Sequence, residues 1–335
     1  MPMILLAWAV PNCGDSILFV KLMSSLILLT GASGFIGSAF LKHALANNWR
    51  VRVLTRRPHD WHALAGVEVV GGDLSNTLDW EQALHGVQVV VHAAAEIKDV
   101  ALIPVVNLQG PTQLLQAAVN AGVRRWVQLS SVGAYGPVHD GVVTEEWPDD
   151  PYGPYEMSKT KFDNLLMWTA QSQSIEVCIV RPSNVYGSGM RNQSLRHMLS
   201  AIRKGTFAFV GSPGASANYV HVSDVVQALA LCVQMSQAAN RIYIVSAWST
   251  MENMVNALAS GAGLRRPTLR INLGLAKLLA STFKWWSRWP LTLSRVNAMS
   301  LRSRYSTRKI ENELGWIQSV PVPDGMCIFS FNSSQ

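Results

Sequence analysis

The junction at residues 25–37 constrains this chain more than any other part of it. Ser25-Leu26-Ile27-Leu28-Leu29-Thr30 runs directly into Gly31-Ala32-Ser33-Gly34-Phe35-Ile36-Gly37. The apolar run reads as a strand buried on both faces, as in parallel sheets covered by helices. From Phe35 to Asn47 the apolar residues recur at helical spacing. A glycine-rich turn between such a strand and such a helix receives the pyrophosphate of a dinucleotide. Gly31 permits the tight turn, Gly34 lets the backbone approach the phosphates, and Gly37 allows close helix–strand packing. Ser33, Phe35 and Ile36 complete the cradle, where the helix start offers free N–H groups and a positive dipole end.

Further strands follow at Val51–Leu54, Val67–Val70, Val87–His92, Trp126–Leu129 and Val177–Val180. Helical stretches such as Leu78–Leu84 and Leu114–Asn120 lie between them. This alternation predicts an α/β fold, a doubly wound parallel sheet of Rossmann type. A length of 335 residues suits roughly two domains. The expected division is a dinucleotide-binding domain over 23–183 and a smaller, mainly substrate-binding region over 184–320. That second region is allowed to return a strand or helix to the first. Strands thin out after Asn184, and the tail over 321–335 shows no periodic pattern. Residues 1–22 are apolar but lack the basic start and small-residue cleavage site of a signal peptide. They are read as a loosely attached extension, or as preceding a natural start at Met23.

Charge narrows the partners. Lys plus Arg number 28 and Asp plus Glu 21, a net of +7, yet residues 261–310 hold eleven Lys/Arg and no acid. The remainder is acidic, which argues against nucleic acid. One basic segment suits a local anionic partner, either substrate phosphates or a membrane surface, or is simply a solvated face. Four scattered cysteines without a CxxC and eight histidines without an HExxH predict no metal site. The apolar stretch 273–289, ending in Trp285, Trp286 and Trp289 with Lys284 and Arg288, reads as a pocket wall, a peripheral membrane contact, or a core-facing helix.

Two features bear on the dinucleotide. The second strand ends in Leu54-Thr55-Arg56-Arg57, without the acid that holds an NAD ribose. Arginines there can meet a 2′-phosphate, so Arg56 favours NADP over NAD; arginines that merely cover the adenine face or project into solvent are the other reading. Asp73, in Gly71-Gly72-Asp73-Leu74, is placed to accept from the adenine amino group; a plain turn-forming Asp is the other reading.

Tyr155 and Lys159 stand four residues apart, on one face of a helix. A nearby ammonium lowers a phenol's pKa and fits it for proton transfer at a hydroxyl or carbonyl. Ser131 closes a strand at the carboxyl edge of the sheet, where its hydroxyl can hold a substrate oxygen.

With these residues the chain resembles the extended short-chain dehydrogenase/reductases, specifically the NAD(P)-dependent epimerase/dehydratase group, from about Ser24 to Trp316. The marks are TGASGFIG, GGDL at 71–74, VVHAAAE at 90–96, Asn107 with Gly110 and SSVGAYG at 130–136. They continue with YEMSK at 155–159, RPSNVYGSG at 181–189, NYVHVSDVV at 218–226 and RYSTRKIENELGW at 304–316. The resemblance implies Tyr155 as catalytic acid/base, Lys159 on the nicotinamide ribose and Ser131 on the substrate oxygen. It also implies Ala93 and Ala94 along the cofactor, with Pro182 and Ser183 at the nicotinamide amide. Asn107 would support a helix end or a water near the lysine, and Asp224 would cap a helix. The acid pair of the dehydratases is replaced by Val132-Gly133, which disfavours dehydration and decarboxylation.

Epimerisation or simple redox remains. Asn184 matches a residue near the diphosphate in sugar-nucleotide members, and Arg302 is a candidate phosphate contact. Ala217 stands where those members carry a diphosphate-gripping arginine. The reading placed first is a cytoplasmic epimerase or oxidoreductase of a nucleotide-activated sugar, a polysaccharide precursor; the resemblance also offers pairing as a homodimer. The alternatives are an NADPH-dependent reductase or dehydrogenase of an apolar ketone or alcohol, and a non-catalytic dinucleotide sensor.

Overall fold

A computed structural model of the chain describes residues 25–61, 66–76, 79–190, 192–282 and 292–332. The expectations for residues 1–22, Met23 and Leu78, and for Lys284, Trp285, Trp286, Arg288 and Trp289, lie outside the described residues.

Seven strands form one sheet: β1 (Leu26–Thr30), β2 (Arg50–Thr55), β3 (Val67–Gly71), β4 (Val87–His92), β5 (Arg125–Leu129), β6 (Glu176–Pro182) and β7 (Arg241–Val245). Their order is β7-β6-β5-β4-β1-β2-β3, every neighbour parallel. Connections between parallel strands must cross over a face, and helices cover both faces here. Side chains of β1 alternate between the two sides. Ile27 and Leu29 meet Phe40 and Leu41 of helix α1 (Phe35–Ala46) with Val225 and Leu229 of α4 (Val222–Gln234). Leu26 and Leu28 face Leu114 of α2 (Gly110–Asn120) with Phe162 and Leu166 of α3 (Pro154–Ser172). The order reverses at β1 and β4, which opens a crevice at their carboxyl ends, the ligand position of such sheets.

The region after Asn184 is richer in strand than its sequence suggested. Asn184–Tyr186 pairs with Ser216–His221, which pairs in turn with Trp248–Thr250. Helix α4 and strand β7 rejoin the main layers. Arg125 helps to hold them: its Nη1 donates to the carbonyls of Cys232, Val233 and Met235 at the end of α4, at 2.9, 3.1 and 2.8 Å.

Two expectations are corrected. The tail is helical over Val322–Asn332, because Val322, Met326 and Phe329 make a buried stripe against Met254, Val255 and Leu258 of the helix Met251–Gly261. Pro323 and Gly325 disguise that stripe in the sequence. Asp224 does not cap its own helix; its carboxylate accepts the backbone N–H groups of Ser319 and Val320 at 3.1 and 3.3 Å, anchoring the approach to the tail.

Candidate active site

The crevice is lined first by the turn after β1. Gly34 N–H donates to the Gly31 carbonyl at 2.8 Å, closing the turn. Gly31 has φ +74°, and a Cβ there would lie 2.5 Å from Ala94 N. A Cβ on Gly37 would lie 2.2 Å from Gly31 O, so α1 packs against the turn only with glycine present. Gly34 precedes α1 without a side-chain cap, and the first turn carries no acid. The N–H groups of Phe35, Ile36 and Gly37 therefore await an acceptor from outside, with exposed Ser33 beside them. That cradle fits a dinucleotide pyrophosphate.

Thr30 and His92 lock the floor. Thr30 Oγ1 and His92 Nδ1 share a 2.8 Å hydrogen bond, and Thr30 Oγ1 also accepts Ala94 N–H at 3.3 Å. Ala93 and Ala94 are thereby fixed, half-buried, at the crevice wall. The His92 ring lies buried between Trp126 and Phe162. Burial, with the Lys159 charge nearby, holds its pKa well below the usual histidine range, so the imidazole is neutral.

At the adenine end Arg56 and Arg57 are exposed beyond β2. The backbone N–H groups of Lys98, Asp99 and Ile97 hold the Glu96 carboxyl below its ordinary pKa, and the nearby Arg56 charge adds to this. One oxygen of Asp73 is engaged locally, accepting from Ser75 N–H at 2.9 Å and Ser75 Oγ at 2.8 Å. Leu74 is buried beneath it. Pro182 and Ser183 are buried at the far end, where Ser183 Oγ accepts from Ser246 Oγ at 2.9 Å.

Tyr155 and Lys159 stand one turn apart in the first half of α3. Tyr155 is half-buried, and Lys159 is 3 % exposed. Burial pulls the Lys159 pKa down to about 8, although Asp163 works in the opposite direction. Burial pushes Tyr155 up to about 12, reinforced by the charges of Glu156 and Asp163. This departs from the expected lowering, because burial and two carboxylates set the direction. Tyr155 is thus a protonated phenol at neutral pH.

Ser131 begins the short 3-10 turn Val132–Tyr135, where its Oγ accepts Gly133 N–H at 3.0 Å. The hydroxyl keeps its own proton for another acceptor. A Cβ on Gly133 would lie 3.3 Å from Ser131 Oγ and 2.6 Å from Glu156 Cγ. Glycine therefore lets the Glu156 stem pass directly over the serine turn. The carboxylate itself lies toward the start of α3, where a Cβ on Gly153 would stand 2.8 Å from Glu156 Oε2.

Beneath the trio lies a buried polar network that the motifs did not announce. Ser130 Oγ donates to Asp163 Oδ2 at 2.7 Å, and Arg181 Nε donates to the same oxygen at 3.2 Å. Arg181 also grips Asp149 at 2.8 and 3.3 Å and lies 4.8 Å over the Tyr135 ring. Burial works against the Arg181 charge, but Asp163, Tyr135 and Asp149 together keep its pKa above the ordinary arginine value. Asp163, wholly buried, has its pKa raised by burial despite these partners. Asn107 spends its amide on structure: it accepts Glu96 N–H at 2.7 Å and donates to Glu96 O and Ser158 Oγ at 2.9 and 3.1 Å. It sits in a π-helical turn, Val105–Gln109, of the kind found beside functional sites.

The phosphate-gripping residues are not assembled in the same way. Ala217 is 1 % exposed, inside the strand Ser216–His221. The Arg302 guanidinium donates to the carbonyls of Ser212, Pro213 and Gly214 at 3.3, 2.9 and 3.4 Å, holding that loop. Asn184 is exposed, and its Nδ2 donates to Asn218 O at 3.1 Å. Arg304 lies 3.6 Å over the Trp248 ring.

Comparison with known proteins places this geometry. The NAD dependent epimerase/dehydratase family matches residues 27–246. The chain is 31 % identical over 267 residues to a UDP-glucose 4-epimerase of Vibrio cholerae, covering 74 % of this chain and 79 % of the relative. It is 32 % identical over 308 residues to sterol demethylase protein B of Methylococcus capsulatus, covering 87 % and 93 %. Among solved structures, the Thermus thermophilus UDP-glucose 4-epimerase in complex with NAD superposes with a TM-score of 0.69 at 26 % identity, covering 92 % and 100 %.

Proposed function

Because the chain belongs to the NAD dependent epimerase/dehydratase family, we propose that it is an oxidoreductase transferring hydride reversibly at a hydroxyl/keto carbon. We take its substrate to be an apolar alcohol or ketone, which reverses the order of the two readings made from sequence. The observation that carries this choice is that two expected phosphate contacts among the described residues are spent or missing. Ala217 is buried where a cation is needed, and Arg302 is committed to three backbone carbonyls. A diphosphate left without charge-assisted partners would lose the interactions that normally fix it. The similarity to sterol demethylase protein B, over 87 % of the chain, is consistent with this choice.

The nicotinamide, when bound, supplies or accepts the hydride at its C4. The residues of this chain handle the oxygen. Ser131 donates its hydroxyl proton in a hydrogen bond to the substrate oxygen. Tyr155 gives its phenolic proton to that oxygen as a ketone is reduced, or takes it as an alcohol is oxidised. Lys159, one turn along α3, supports the tyrosine and offers its ammonium to the cofactor ribose. We read the dinucleotide as NADP, on the exposed Arg56 and Arg57 and the lack of an acid at the end of β2.

The test is to denature the purified protein, identify any released nicotinamide nucleotide, and then assay ketones and nucleotide sugars with NADPH and NADH. A dissociable cofactor, an NADPH preference and turnover of cyclic ketones are expected. NAD(H) retained at near one per chain, with interconversion of a nucleotide sugar, would overturn both the substrate and the cofactor readings. That second reading, a nucleotide-sugar epimerase, is favoured by Arg304, exposed over Trp248 and without a carboxylate partner among the described residues.

A further inference from the structure

The helix Leu273–Thr282 is packed inside out. Its buried residues are Ala276 and Ala280, which join Val210 and Val296 in a small apolar cluster. Leu275 and Leu278 are 50 % and 61 % exposed. Spacing of three puts these leucines on one face, roughly opposite the alanines, with exposed Lys277 on the flank. A helix on a water-facing surface ordinarily buries its leucines and exposes its small or polar residues. Leu269 and Leu293, close by in sequence, are also 57 % and 45 % exposed.

The charge around this helix is of one sign. From residue 253 to 310 there is no Asp or Glu. Arg265, Arg266 and Lys277 are exposed. Arg270 is paired with Glu252 at 2.7 Å, whereas Arg265, Arg266 and Lys277 have no carboxylate partner among the described residues. Two copies meeting through this face would bring like charges together. A face that joins outward leucines to unopposed cations meets both demands of an anionic bilayer, apolar insertion and headgroup attraction.

We propose that the helix Leu273–Thr282 docks this protein on an anionic lipid surface, with Leu275 and Leu278 entering the acyl boundary and Lys277, Arg265 and Arg266 meeting headgroups. The docking is peripheral: no described helix is long and apolar enough to cross a membrane. It is independent of the substrate reading, because its test measures binding and not turnover.

The experiment is sedimentation of the full chain with vesicles of phosphatidylcholine alone, or mixed with phosphatidylglycerol. Binding to the mixed vesicles is expected, weakened by raising the salt. The double variant Leu275→Ser/Leu278→Ser should bind about a hundredfold more weakly, at about tenfold per leucine. Lys277→Glu should weaken binding to mixed vesicles while leaving the melting temperature unchanged. Binding equal on both vesicles, absent on both, or undiminished in the double variant overturns the proposal. So does concentration-dependent self-association that the double variant abolishes, which would assign the face to a second copy of the chain.

Discussion

Replacing Lys159 with methionine should make the protein more stable while destroying its activity. Lys159 is 3 % exposed, and its pKa lies at about 8 against 10.5 for an ordinary lysine. A difference of about 2.5 units at about 1.4 kcal/mol each is about 3 kcal/mol held against the folded state at pH 7. Below pH 8 the lysine is protonated in both folded and unfolded chains, so the full cost applies. Between pH 8 and 10.5 the unfolded chain binds the extra proton, and the wild type gains stability as pH rises. Methionine keeps the unbranched length and removes the charge. It also removes the attraction to Asp163, whose burial already raises its own pKa, so the net gain is about 1–3 kcal/mol. At roughly 2 °C per kcal/mol for a chain of this size, Lys159→Met should melt about 2–6 °C higher at pH 7. Calorimetry of cofactor-free protein at pH 7 and pH 10 checks this, with the gap narrowing at the higher pH. A variant that melts several degrees lower at pH 7 would show that the ammonium is a net stabiliser, and the burial argument would fail.

Three further outcomes follow from the same corner. Tyr155→Phe should lower kcat/KM by about 10²–10⁴-fold while the cofactor still binds, as read by stopped-flow turnover and nucleotide titration. Glu156→Gln removes a negative charge that helps to raise the Tyr155 pKa, so the tyrosine-dependent limb of the pH–rate profile should move to lower pH; an unmoved limb would place Glu156 outside the site. Arg181→Met leaves Asp163 buried without its guanidinium and should cost about 3–5 kcal/mol in denaturant unfolding, with cofactor binding impaired as Ser130 and α3 loosen.

The parts of this molecule that were legible in its sequence are those governed by neighbours along the chain. β1 is a run of apolar residues, and the turn after it needs glycines whose Cβ atoms would collide within a few residues, Gly37 upon Gly31. The tyrosine–lysine pair is one helical turn. What escaped depends on contacts between distant segments. Ser130 meets Asp163 across 33 residues and Arg181 meets Asp149 across 32, and nothing in either local pattern announces the pair. Strand β7 reads RIYIV but joins the sheet beside β6, more than sixty residues away in the chain.

Glu156 was hidden differently. It occupies an intervening position of a familiar motif, and its importance comes from Gly133, whose missing side chain makes room for it. A carboxylate charge absent from one strand end can therefore act on the tyrosine from its own helix, and reaction type should not be read from the strand end alone. The sequence weighed Val132-Gly133 as a loss of acid chemistry. The structure passes the Glu156 stem over Gly133, and the glutamate's charge adds to burial in raising the tyrosine's pKa, so the free protein keeps the phenol protonated. Oxidation then requires a positive charge brought in beside Tyr155, which oxidised nicotinamide carries. On this argument the tyrosine's proton affinity should fall when the oxidised dinucleotide binds and recover with the reduced form, so the acid/base group is tuned by the ligand.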